Sequence, residues 1–298
     1  MSYAVNEEFG IKFKKGGALL DNGKKMRRGI ASTLLAVFSL IYISPLFIIL
    51  VNSFKNNTNI SSKPFNLPTA TTWAGVDNYQ SGIDNYGLLS GVGWTLMITI
   101  GSVAAILLFC SMFAWFITRV KTAYSKILYL LCVFSMVVPF QMVMFTLAST
   151  ADTLYLNTPW SVIIVYMGFG AGNAVFMFSG FVKSIPLEIE EAAMIDGCNP
   201  LVTFFGVVLP VMQPTLITVG ILQTMWIWND FLLPYLVLDR RRFTTVSLLI
   251  QTMRRGFGIV DMGAIMSSLV LAVVPVVICY LSSQKYIIEG VTAGAVKG

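Results

Sequence analysis

Carboxylates crowd one stretch of this 298-residue sequence, where Glu188, Glu190, Glu191 and Asp196 fall close together between two long apolar runs. Clustered acids suit general acid–base or metal chemistry only when other groups converge on them. Those groups are missing: the chain has no histidine, the commonest general base and metal ligand. Its four cysteines, Cys110, Cys132, Cys198 and Cys279, lie in or beside apolar segments without metal-ligand spacing and read as small core residues. The nearest approach to a phosphate-binding loop, Gly17 to Lys25, has the wrong glycine spacing and Lys25 where Ser or Thr is required. No catalytic residue, metal site or bound cofactor is therefore expected in this chain.

The elements that carry these residues are set by hydropathy. Of the residues, 56% are hydrophobic and 11% charged, against about 25% charged in a soluble domain. Six stretches hold no Asp, Glu, Lys or Arg: 29–54, 85–118, 127–151, 153–182, 197–229 and 262–284. Each is long enough to cross a bilayer, and backbone groups in hydrocarbon must be satisfied within their own segment. The expectation is an all-α polytopic membrane protein with six transmembrane helices. Residues 1–29 form a basic tail, 30–53 the first span, 54–88 an extracytoplasmic loop with Pro64 and Pro68, 89–284 the core, and 285–298 a second tail. The first span lacks a small-residue cleavage site and reads as an anchor. With both tails cytoplasmic, 13 of the 20 Lys/Arg fall inside, in keeping with the positive-inside rule. Arg240, Arg241, Arg242, Arg254 and Arg255 then fall in an outer loop, against the trend. The net charge of +6 is placed beside spans, so the basic partner is membrane lipid and not nucleic acid.

Between the fourth and fifth spans, Lys183 to Val208 is amphipathic where its neighbours are uniformly apolar. Ser184 is a candidate cap for a helix whose opening turns hold Pro186, Glu188, Glu190 and Glu191. Gly197 can end it, and Asn199 with Pro200 can start a second helix, giving a helix pair bent around Gly197 to Asn199. Acidic charge disfavours an anionic leaflet, so a protein partner fits this surface better than lipid.

The spacing Glu191-Ala192-Ala193, three residues, Gly197, nine residues, Val207, one residue, Leu209-Pro210 resembles the EAA motif of ABC importer permeases, with Val207 in place of the usual Ile. Trp228-Asn229-Asp230-Phe231, Phe243-Thr244-Thr245 and the tail Gln284-Lys285-Tyr286 with Gly290 to Gly298 are similar to the smaller permease of the pair that imports maltose-like sugars and oligosaccharides. The resemblance implies that residues 184–208 are cytoplasmic coupling helices. Glu190, Glu191, Ala192, Ala193, Asp196, Gly197, Leu209 and Pro210 would then meet the ATP-hydrolysing subunit. It further implies a second, different permease, two copies of an ATPase subunit that bind ATP and Mg, and an extracytoplasmic sugar-binding protein.

For contact with sugar, Trp226, Trp228, Asn229, Asp230 and Tyr235 combine aromatic faces with hydrogen-bonding groups, although Trp and Tyr at a span end also form interfacial belts. Arg240, Arg241 and Arg242 are candidates for docking the binding protein, with a merely solvated loop as the alternative. Gln141, Asn173 and Gln223 interrupt the third, fourth and fifth spans. Pro139, Gly168, Gly170, Gly172, Pro210 and Pro214 read as packing and kinking positions, with gating hinges as the alternative. An importer of another small polar solute, or a stand-alone secondary transporter, would share much of this pattern. The latter would show ionisable residues inside the spans and related halves, and neither is visible.

Overall fold

Long apolar runs leave the backbone no partner but itself, and the chain responds with helix almost throughout. The computed structural model describes residues 16–254 and 260–295, among which the only extended pairing is an isolated bridge between Lys55 and Trp73. Lys12, Lys14, Lys15, Arg255 and residues 296–298 lie outside the described residues.

Helix α1 (Gly16–Asn52) carries the first charge-free run. From Met26 to Phe47 every side chain is exposed, Leu35, Leu40 and Tyr42 among them, so this surface requires lipid or another membrane helix as its solvent. The short helices α2 (Asn57–Ser62) and α3 (Asp77–Asp84) follow outside the first span. Helix α4 (Leu88–Ala105) passes through a π-helical turn, Ile106–Cys110, into α5 (Ser111–Arg119), giving 32 continuous residues. The third charge-free run is broken: α6 (Ala123–Val137) and α7 (Phe140–Thr153) meet at 105°. Pro139 explains the break, because it lacks an N–H and restricts Val138 to extended backbone, φ −77° and ψ 115°.

Helix α8 (Pro159–Val182) runs unbroken for 24 residues and starts with a Thr158–Ser161 capping box and Pro159 in its first turn. After α9 (Leu187–Ile195), α10 (Pro200–Thr203), a second π-turn (Phe204–Val208) and α11 (Leu209–Val211) run into α12 (Gln213–Asn229) with a bend of 77°. Pro214 sits in the first turn of α12, just past that bend. Helices α13 (Leu232–Val237), α14 (Val246–Arg254) and α15 (Met262–Ala295) complete the chain.

The core gathers around α8, whose Val162, Tyr166, Ala174 and Phe178 are fully buried against α4, α5, α6 and α12. Gly172 marks the closest approach of α6, since a Cβ there would lie 2.8 Å from the Cys132 carbonyl oxygen. Close backbone approach of this kind is how small residues hold membrane helices together. Just past the carboxyl end of α1, Lys55 is 1% exposed, and its ammonium donates to Asn52 Oδ1 (3.0 Å) and the Lys63 carbonyl (3.1 Å). Burial pushes its pKa down. Asn78 donates to the carbonyls of Ser53 and Lys55, and Ser267 of α15 donates to the Asn78 carbonyl, so the loop after α1 is tied to α3 and α15.

Candidate functional site

Two sites flank α12 (Gln213–Asn229): a bent helix pair precedes it, and a cleft is lined by its second half. The first is the bent helix pair. Helix α9 begins at Pro186, which makes no side-chain cap; Ser184, expected to cap it, instead donates back to the Phe181 carbonyl at 2.7 Å. The preceding turn, closed by Ser184 and Ile185 amides on Phe181 and Val182, takes up Ser184 before the helix can use it. At the other end Gly197 has φ +85°, and the amides of Gly197 and Cys198 donate to the carbonyls of Met194 and Ala193. This is a Schellman ending, which needs a left-handed residue. Asn199 Oδ1 then accepts from the Val202 amide at 2.9 Å and caps α10.

Glu190 anchors the pair. It is 1% exposed, and its Oε1 accepts from Arg119 Nη2 (2.6 Å) and Nε (2.9 Å), while Oε2 accepts from Trp115 Nε1 (2.9 Å). Arg119 Nη2 also donates to the Ile185 carbonyl at 2.9 Å. Trp115 packs on Phe204 of the second π-turn, with ring centroids 5.5 Å apart. The end of α5 is thus bound both to α9 and to the segment that follows α10. Ala193 faces inward as well, whereas Glu191, Ala192 and Asp196 are exposed. Around them Leu187, Ile189, Met194, Ile195, Leu201 and Val202 present apolar side chains outward, Ile195 at 86% exposure. Leu209 is half-buried against the core and Pro210 exposed.

The second site is a cleft of about 500 Å³ at the α6–α7 break. Its polar wall is Ser135, Gln141, Asn173, Gln223 and Asp230, and Phe140, Phe169 and Trp226 supply aromatic faces. Asp230 Oδ2 accepts from Tyr166 Oη at 2.9 Å and Oδ1 from the Leu232 amide at 2.9 Å. Tyr166 also meets Trp226 edge to face at 5.5 Å.

Of the five residues expected to meet sugar, Trp226 and Asp230 line this cleft. Trp228 is buried on the other side, its Nε1 donating to the Ala272 carbonyl of α15 at 3.2 Å. Asn229 folds back on the Met225 carbonyl, and Tyr235 packs between Phe231 and the Arg240 guanidinium. The turn after α13 exposes Arg240, Arg241 and Arg242, and Asp239 accepts from the Arg241 amide. Sequence reasoning missed Arg119, Trp115 and Tyr166 altogether. Gln141, Asn173 and Gln223 carried a signal, as uncharged polar residues inside apolar runs, but their convergence is tertiary.

Residues 108–292 match the family described as the binding-protein-dependent transport system inner membrane component. The chain is 37% identical over 267 residues to a probable starch degradation products transport system permease protein, AmyC, of Thermoanaerobacterium thermosulfurigenes, covering 88% of this chain and 94% of that protein. It is 32% identical to the multiple sugar-binding transport system permease protein MsmG of Streptococcus mutans, covering 89% and 95%. Its fold matches a chain from the crystal structure of a bacterial ABC transporter involved in import of the acidic polysaccharide alginate, with a TM-score of 0.76, 18% identity, and coverage of 89% and 97%. With the matched region taking in both bent helix pairs of the membrane core, this chain belongs to the family of binding-protein-dependent transport system inner membrane components.

Proposed function

We propose that this chain is one of two different membrane-spanning subunits of an ATP-driven importer for a sugar or oligosaccharide. The observation that carries the reading is the outward apolar face of α9 and α10, held rigidly from behind by Glu190 on Arg119 and Trp115. An exposed apolar patch with an acidic rim is a protein-docking surface. Here it suits an ATPase subunit, two copies of which bind the ATP and Mg that this chain does not. Glu191, Ala192, Asp196 and Gly197 lie at that contact, and Leu209 and Pro210 carry its motion into α12. Relatives that include starch-product and multiple-sugar permeases support the substrate class.

In the cycle we infer, ATP-driven closure of the ATPase pair pushes α9 and α10, and the cavity opens outward. Hydrolysis resets it. A ligand shifts such an equilibrium only through different affinities for the two states, so the external binding protein must favour the outward one. Arg240, Arg241 and Arg242, beyond the far end of α12, are our candidates for meeting it. Both termini lie in the cytoplasm in this arrangement, and the chain itself performs no catalysis.

The test is to express the tagged chain with its neighbouring reading frames, purify the assembly, and measure ATP hydrolysis with binding protein and a sugar panel. The reading predicts a co-purifying ATPase stimulated by binding protein plus one panel sugar. Stimulation by an amino acid or ion, and by no sugar, would reassign the substrate class.

A further inference from the structure

We propose that the segment between α1 and α3, residues 53–76, lies on the lipid leaflet at the carboxyl end of α1, with Phe65, Leu67 and Trp73 sunk into its headgroup–acyl boundary, and that the buried Lys55 holds it there.

The segment presents large apolar side chains where water would be expected to face it. Phe65 is 80% exposed, Leu67 64% and Trp73 56%. Apolar groups gathered in this way mark contact with a partner or a membrane. Two braces fix their level. Asn52, the last residue of α1, donates from Nδ2 to the Pro64 carbonyl at 2.9 Å, and Lys55 Nζ reaches the carbonyls of Lys63 at 3.1 Å and Pro64 at 3.4 Å. The backbone that leads into Phe65 is therefore bound to the end of the span. A buried ammonium is costly unless its donors are used, and here they draw Asn52, Lys63 and Pro64 to one point. The second brace holds Trp73: the Asn56 amide donates to the Thr72 carbonyl, the Ala74 amide donates to the Phe54 carbonyl, and the indole stacks on Phe54 with centroids 5.2 Å apart. Gly75, at φ +59°, leaves room for the indole nitrogen, which would stand 3.6 Å from an added Cβ.

Continuity and charge point to lipid as the occupant. The exposed apolar surface of α1 runs through Leu46 and Phe47 up to Leu50, so the braced loop extends a surface that already lies in the membrane. From Ser53 to Val76 there is no Asp or Glu, and with Lys55 buried the one exposed charge is Lys63. That balance suits anionic phosphate headgroups, and Trp is a residue that settles at the boundary between headgroups and hydrocarbon.

The experiment uses the assembled complex, freed of native cysteines and reconstituted into phosphatidylcholine–phosphatidylglycerol vesicles without binding protein. A nitroxide is attached in turn to Phe65→Cys, Leu67→Cys and Trp73→Cys, with Gln80→Cys, exposed on α3, as the reference. Relaxation by oxygen, which concentrates in lipid, is compared with relaxation by a water-soluble nickel chelate. We expect the oxygen-to-nickel ratio at positions 65, 67 and 73 to be several-fold above that at position 80, in keeping with burial of about 5–10 Å into the boundary. Adding Lys55→Met should bring the ratio at position 65 down toward the reference and leave position 73, held by the other brace, unchanged. If Lys55→Met does not assemble, Asn52→Ala, which removes one donor to Pro64 and one acceptor of Lys55, gives the same reading. A ratio at positions 65 and 67 equal to the reference shows a solvated loop, and low accessibility to both reagents shows cover by another subunit. Either result overturns the proposal, as does a ratio at position 65 that is indifferent to the Lys55 or Asn52 substitution.

Discussion

Arg119 and Glu190, 71 residues apart in sequence, meet through two hydrogen bonds to the same carboxylate oxygen, at 2.6 and 2.9 Å, with the Glu190 side chain 2% exposed. The pair ties the carboxyl end of α5 to the surface on which the ATPase is proposed to dock. A push on α9 therefore reaches α5 as well as α12.

Removing one partner leaves a buried charge uncompensated, which costs about 3–5 kcal/mol. We predict that Arg119→Met lowers the melting temperature of the purified complex and its ATPase content. The double variant Arg119→Met/Glu190→Met should recover most of the thermal stability, because neither charge is left unpaired, and still import poorly with more ATP consumed per sugar. Full recovery of the ATP-to-sugar ratio in the double variant would show that the pair is only structural.

At Gly197 the requirement is the backbone alone: φ is +85°, and nothing lies within 4 Å of an added Cβ. Gly197→Val forces a β-branched residue into that conformation at about 1–3 kcal/mol. Gly197→Asn, which tolerates left-handed backbone, costs less. The expected outcome is normal membrane abundance for both, transport lost in the valine variant and largely kept in the asparagine variant. Near-normal uptake and ATPase co-purification for Gly197→Val would count against the docking role.

Gly172 makes the opposite demand, for space. A Cβ there would meet both Ser135 Oγ, at 2.6 Å, and the Cys132 carbonyl. Gly172→Ala should cost about 1–3 kcal/mol by overpacking, read as a fall in melting temperature. Gly180→Ala, where nothing lies within 4 Å, should be neutral or slightly stabilising.

Orientation is checked by cysteine accessibility in a background without native cysteines. Glu190 is buried and cannot report, so the inner probe belongs at Ile195, 86% exposed, and the outer one at Arg241. A Cys replacing Arg241 should react with an impermeant maleimide in intact cells, and one replacing Ile195 only after the membrane is opened. The reverse pattern would invert the topology.

Legibility followed the range of the interaction. Charge-free runs give the helices, because hydrocarbon solvation acts on each segment alone, and Gly197, Asn199 and Pro200 declare their turn locally. Pro139 announces a break in the third run, but its 105° angle depends on what α6 and α7 pack against. Ser184 was misleading for a local reason, since the turn before it competes for the hydroxyl. Arg119 with Glu190, Tyr166 with Asp230, and the meeting of Gln141, Asn173 and Gln223 involve different helices, and no spacing along the chain encodes them.

The most direct measurement of the central claim is uptake of a labelled neutral oligosaccharide into proteoliposomes that hold the full complex, with ATP enclosed and binding protein outside. The account predicts accumulation that requires both ATP and binding protein and that is abolished by Gly197→Val at matched protein content. Accumulation without ATP, or uptake by Gly197→Val equal to wild type, would contradict it.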